Sequence, residues 1–227
     1  MGNFRMRLLS IVISLIVLIG CDLKSSEDYH KEANKKEQQE KYIEAIALLD
    51  KAIAKDNKNI KALLDRAVDK SIVKDYKGSI ADYSIVIELA PDNGLAYLNR
   101  GKNKKRLEDF NGAIADFDKA ISTKGSEVLY MDKVENSFVE TGFEFDVKME
   151  EIRFERGIAY YNIDSLNKAF EDLNFSIQKQ YLLPDSYYWR GLIYLSYNMK
   201  DQGCKDLNKA KDLGDPDAQN LIDKNCK

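Results

Sequence analysis

A small-residue landmark returns along this chain at one fixed interval. Ala45-Ile46, Ser79-Ile80 and Ala113-Ile114 are spaced 34 residues apart, and each follows an aromatic by three positions (Tyr42, Tyr76, Phe110). Seven residues further on come Ala52, Val86 and Ala120. A unit of this length cannot bury a core alone, so copies must stack side by side, and the period is that of repeated helix pairs. A second landmark extends the array: Arg66-Ala67, Arg100-Gly101, Arg156-Gly157 and Arg190-Gly191, of which the first two and the last two are again 34 apart. The spacing predicts five repeats, over about 26–59, 60–93, 94–127, 150–183 and 184–214.

The residues within a unit agree with helix. Tyr76, Ile80, Tyr83 and Ile87 are spaced by 3 and 4, a buried helical stripe rather than the alternation of a strand. Gly101, Ala113, Ala120 and Gly157 are small enough to let helices approach closely, and Pro91 stops the second helix of its repeat. The predicted fold class is therefore all-α.

Residues 97–101 (Tyr-Leu-Asn-Arg-Gly) and 109–121 (Asp-Phe-Asn-Gly-Ala-Ile-Ala-Asp-Phe-Asp-Lys-Ala-Ile) resemble the tetratricopeptide repeat. The resemblance covers most of the chain. It implies two antiparallel helices per repeat, stacked as a right-handed superhelix with a concave groove that binds proteins or peptides; it implies no reaction. Lys70 and Lys104 stand where it expects an aromatic.

Arg66, Arg100, Arg156 and Arg190 are each followed sixteen residues later by an acid: Asp82, Asp116, Asp172 and Asp206. Folding each helix pair about a turn midway between them brings the charges together. They read as repeated structural ion pairs that set register, since desolvation offsets much of their attraction; the alternative is that some contact a ligand.

The two ends differ from the array. Arg5 and Arg7, the apolar run Leu8 to Ile19, and Gly20-Cys21 have the order of a signal peptide over 1–20, the run being short of the roughly 20 residues of a spanning helix. Leu18-Ile19-Gly20-Cys21 resembles the bacterial lipobox, which implies lipidation of Cys21 and a location in the cell envelope, periplasmic or outer-surface. A tether is expected over 21–27, followed by the solenoid over 28–227. His30, the single histidine, lies in the polar lead-in and reads as solvated. Glu27-Asp28 loosely resembles an acidic surface-export signal, and Asp22 an inner-membrane retention signal. Loss of residues 1–20 would remove two of 35 basic residues against 38 acidic ones, leaving a net charge near −5, which argues against a nucleic-acid partner.

Between repeats three and four the period is broken by 22 extra residues, about 128–149, a spacer on the solenoid edge or a binding element. At the other end Gly214 is placed to stop a helix, and Asp215-Pro216 to start a capping helix within 215–227. With Cys21 lipidated, Cys204 and Cys226 remain, bridged or as two buried thiols, with zinc binding disfavoured for want of two further ligands. No phosphate loop or paired-cysteine metal motif occurs, and Asp212, Asp215 and Asp217 lack the glycine and distal glutamate of a calcium loop. Neither catalytic residues, cofactor, metal nor small-molecule substrate is expected.

Function is expected in the groove. By the resemblance its first helices present Leu64 and Val68; Leu98, Lys102, Lys105 and Arg106; Phe154, Ile158 and Tyr161; and Tyr188, Leu192 and Leu195. That surface is basic in the third repeat and aromatic in the last two, suiting a peptide with an acidic part and an apolar anchor. In the opposing reading the aromatics only pack between repeats. The expected function is thus a non-catalytic, lipid-anchored interaction scaffold. The rivals are a permanent subunit of an envelope assembly or secretion machine and an enzyme whose site is built from the insert, to be tested at Glu144, Asp146, Glu150 or Glu151.

Overall fold

The computed structural model describes residues 22–123 and 147–226, which form two compact units divided after Asn59. The lipobox therefore lies outside the described residues, as does the insert up to residue 146.

The first unit is one helix pair, α1 (Ser26–Glu37) and α2 (Tyr42–Lys55). α1 starts inside the stretch expected as a tether because Ser25 and Asp28 close a capping box: Ser25 Oγ accepts from the Asp28 N–H (3.1 Å) and Asp28 Oδ2 from the Ser25 N–H (2.9 Å). One acid of the supposed export signal thus has a local structural role. α1 packs on α2 through Tyr29, His30 and Ala33, facing a stripe of Ala45, Leu49 and Ala52. His30 is only 6% exposed, so its expected solvation is corrected: it falls beside Tyr29 on the buried face of α1 rather than in a loose lead-in.

The second unit holds α3 (Ile60–Ile72), α4 (Tyr76–Leu89), α5 (Gly94–Arg106), α6 (Phe110–Ser122), α7 (Met149–Asn162), α8 (Leu166–Gln178), α9 (Leu183–Ser196), α10 (Lys200–Asp212) and α11 (Ala218–Asn225). Each helix packs on the next. The turn inside each pair places one non-glycine residue in the left-handed region at the same point of the repeat: Lys74, Glu108, Asp164 and Asn198, with φ of 67, 62, 59 and 59°. This conformation closes the end of the first helix and redirects the chain antiparallel.

Two glycines are required by the caps that follow. Asp75 accepts from the Gly78 N–H at 3.0 Å and Asp109 from the Gly112 N–H at 2.9 Å, starting α4 and α6. A Cβ on either glycine would lie 2.1 Å from that carboxylate. Gly101 meets a different demand: its added Cβ would lie 2.7 Å from the Phe117 ring, so only glycine lets α5 and α6 come this close.

The 22 extra residues do not interrupt the stack. α6 packs directly on α7, and Ala113, Phe117 and Ala120 share a core with Ile152 and Ala159, while Val147, at the end of the insert, packs on that core. At the C-terminus Gly214 turns at φ 97°, Asp215 Oδ1 accepts from the N–H groups of Asp217 and Ala218, and Cys204 is disulfide-bonded to Cys226. The bond fastens α11 to α10.

Candidate binding groove

The Arg and Asp residues sixteen apart meet in all four complete repeats of the second unit. In each, Nε and Nη2 of the arginine donate to the two carboxylate oxygens of the aspartate, at 2.6–3.0 Å for Arg66, Arg100, Arg156 and Arg190. Planar guanidinium matches carboxylate in this two-pronged geometry, which a lysine cannot reproduce. The aspartates are buried at 2–5% exposure, so each depends on its partner. The remaining guanidinium edge ties one repeat to the one before: Nη1 of Arg100, Arg156 and Arg190 donates to Ser84, Asp118 and Asn174 at 3.0, 2.6 and 2.6 Å. Burial opposes the charge on Arg156, but the Asp172 and Asp118 carboxylates outweigh it and raise its pKa above the ordinary arginine value. At Arg190, Asp206 likewise overrides burial.

Lys70 and Lys104, where the resemblance led to an aromatic, reach the same carboxylates: Lys70 Nζ is 2.9 Å from Asp82 and Lys104 Nζ 2.8 Å from Asp116. They complete the ion pairs rather than line the groove.

The residues assigned to the groove divide into two groups. Leu64, Leu98, Phe154 and Ile158 are buried (6, 2, 5 and 9% exposed), which corrects their placement on a binding surface. Phe154, for instance, packs edge-on against Tyr181 at 5.9 Å. Val68 and Arg106 are exposed, and Lys102, Lys105, Tyr161, Tyr188, Leu192 and Leu195 are half-buried. Tyr161 and Tyr188 both make edge contacts to Trp189, at 5.3 and 5.7 Å, so the aromatic region is partly self-packed. Burial raises the Tyr188 pKa.

The basic character of the third repeat also needs correction. Lys102 pairs with Glu151, and Lys105 with Glu155 at 2.5 Å, both acids coming from α7. The sequence offered a signal for this, since Glu151 and Glu155 are four apart on one helical face, but only the continuation of the stack across the insert sets them opposite the lysines. Glu144 and Asp146 lie outside the described residues.

Val68, Lys102, Lys105 and Arg106 line one cleft of about 660 Å³, together with Ser71, Ile72, Lys74, Tyr76, Tyr83, Asn99, Asn103 and Glu155. Its floor is hydrogen-bonded: Ser71 Oγ donates to Asn103 Oδ1 and Asn103 Nδ2 to Ser79 Oγ, each at 2.8 Å, while Ser79 Oγ donates to the Ala67 carbonyl at 2.6 Å. Arg106 lies over the Tyr76 ring at 5.7 Å. Among the described residues no group of three His, Cys, Asp or Glu is arranged to hold a metal ion.

No family model and no curated protein matches the sequence. Solved structures do resemble it. MamA (41-end) from Desulfovibrio magneticus RS-1 superposes with a TM-score of 0.69 at 12% identity, covering 83% of this chain and 94% of that one. YrrB, a TPR protein with an unusual peptide-binding site, gives 0.67 at 18%, covering 87% and 90%. PilW, a widely conserved type IV pilus biogenesis factor, gives 0.61 at 18%, covering 85% and 88%. At identities this low the likeness speaks for the fold alone, and it agrees with the period, the paired helices and the repeated Arg–Asp contacts: the chain folds as a solenoid of the tetratricopeptide-repeat type.

Proposed function

We propose that this protein is a non-catalytic scaffold that binds a protein or peptide on the first-helix face of its second unit, and that lipid on Cys21 anchors it to a bacterial cell envelope. The observation that carries the reading is the cleft between α3 and α5, which combines exposed aliphatic side chains with cations on an otherwise acidic chain. Small apolar contacts ringed by charge suit recognition of another chain. The peptide-binding site named for YrrB, a protein of the same fold, adds support.

Photocrosslinking residues at Arg106 and Tyr188, followed by mass spectrometry of the native envelope, tests the scaffold. One partner recovered from both positions is the expected result; no crosslink from either sinks the reading. The anchor is tested separately by Cys21→Ala, which removes the only thiol of the lipobox; a Cys21→Ala chain that is still processed and acylated would refute it. Among the described residues no helix is long and apolar enough to cross a membrane. The likeness to PilW, a type IV pilus biogenesis factor, favours a second reading, a permanent subunit of an envelope machine. Fixed stoichiometry with the captured partner would distinguish it.

A further inference from the structure

Three kinds of side chain meet in the cleft. On α3, Val68 and Ile72 lie one turn apart and are 41 and 48% exposed, too open to be core. The floor beneath is held by Asn103, itself 2% exposed and fastened by Ser71 and Ser79. At the rim, Lys74 and Arg106 have no carboxylate partner among the described residues, while Lys102 and Lys105 are neutralised by Glu151 and Glu155 of the following repeat. Cations outnumber acids here although the chain carries a net charge of −3.

The geometry points to a specific occupant: a peptide segment with one aliphatic side chain seated on Val68 and Ile72 and flanking carboxylates directed at Arg106, Lys74 and Lys105. Glu155 acts as a built-in competitor for that segment. It lines the cleft and holds Lys105 at 2.5 Å, where a carboxylate of the ligand would bind, so the ligand must exchange with it. Cationic segments meet Arg106 and Lys74 unscreened and are rejected, which gives specificity through repulsion as well as attraction. Exposed rim charges act mainly on encounter, and the aliphatic contact on residence. This inference rests on the scaffold reading and deepens it.

The probe is a set of fluorescein-labelled, acetylated and amidated ten-residue peptides in a Gly/Ser background. Each carries one Leu flanked by Glu residues at spacings of one to four, with matched sets having Lys for Glu or Ala for Leu. Fluorescence anisotropy on the full chain in detergent micelles is expected to show binding by at least one Glu/Leu spacing, weaker by about tenfold or more in the Lys and Ala versions. Ile72→Glu and Arg106→Glu each weaken it by about tenfold, both side chains being exposed enough to change without unfolding the helix. Glu155→Gln tightens binding by about two- to tenfold, a direction that loss of a merely structural ion pair would not produce.

Equal binding of the Glu and Lys sets, no binding at any spacing, or indifference to Ile72→Glu overturns the cleft assignment. Unchanged or weaker binding by Glu155→Gln overturns the competitor. If the cleft assignment fails while native crosslinks persist at Tyr188, the scaffold stands without this site; if those crosslinks are missing from both positions, the scaffold itself is lost.

Discussion

Asp82 and Asp116 each hold two cations, an arginine and a lysine one turn later, whereas Asp172 and Asp206 face an arginine followed at the same place by a tyrosine. Arg156 lies 5.6 Å from the Tyr160 ring and Arg190 5.8 Å from that of Tyr194. The repeats on either side of the insert differ in two further respects. Asp75 and Asp109 cap their second helices, while Ser165 and Met199 make no side-chain cap. The large residue packed behind the first helix is Tyr83 or Phe117 before the insert and Leu173 or Leu207 after it, with the aromatics moved to Tyr161, Tyr188 and Trp189. The constant element is the buried, two-pronged Arg–Asp contact, and what surrounds it is free to vary. Before the insert a lysine joins the arginine at each aspartate, and the cleft carries exposed aliphatics; after it, an aromatic ring packs beside each arginine instead.

That comparison predicts unequal costs for the same substitution. Arg156→Ala should cost about 2–4 kcal/mol, because Asp172 keeps only Arg153, at 3.9 Å, and Asp118 loses its partner. Arg100→Ala should cost less, about 1–2 kcal/mol, since Lys104 still neutralises Asp116. Urea denaturation of both variants decides this, and equal losses would remove the role given to the lysine. The double change Arg156→Ala with Asp172→Ala should cost less than the two single losses added; strict additivity would mean the pair does not interact.

Opening the Cys204–Cys226 bond should cost up to about 3 kcal/mol for a loop of this size, with the effect confined to one end. Hydrogen exchange should accelerate in 218–225 and stay unchanged in α3 to α6; loosening throughout would show that the cap supports the whole stack.

A smaller effect tests the caps. Asp109→Ala should cost about 1 kcal/mol, while Ser165→Ala, with no cap bond to lose, should stay near zero. The smallest runs in the opposite direction. Glu108 sits at φ 62°, where glycine has no Cβ to strain, so Glu108→Gly should raise stability by up to about 0.5 kcal/mol or leave it unchanged. A loss above 1 kcal/mol would show that the Glu108 side chain contributes more than its backbone costs.

The ion-pair partners were legible because an antiparallel helix pair of known period brings residues sixteen apart face to face, whatever the rest of the chain does. The groove was less so. Helical spacing puts Leu98, Lys102 and Arg106 on related faces, but exposure depends on how closely the next repeat approaches, and that is why Leu98 and Phe154 are buried while Ile72, not singled out, is open. His30 was misread for a similar reason: polar neighbours in sequence say little about a face only three residues wide.

Sequence alone therefore determined what repeats: the helix pairs, the small residues at close contacts and the buried Arg–Asp register, all properties of local spacing. Tertiary structure decided what faces what. Lys102 and Lys105 are free cations in any reading of their own helix and become paired only because α7 stacks beyond the insert and places Glu151 and Glu155 against them. Packing within a helix pair, α3 on α4 and α5 on α6, makes Lys70 and Lys104 counter-ions of buried aspartates rather than groove residues, since charge is a property of the residue but its partner is set by distance in space.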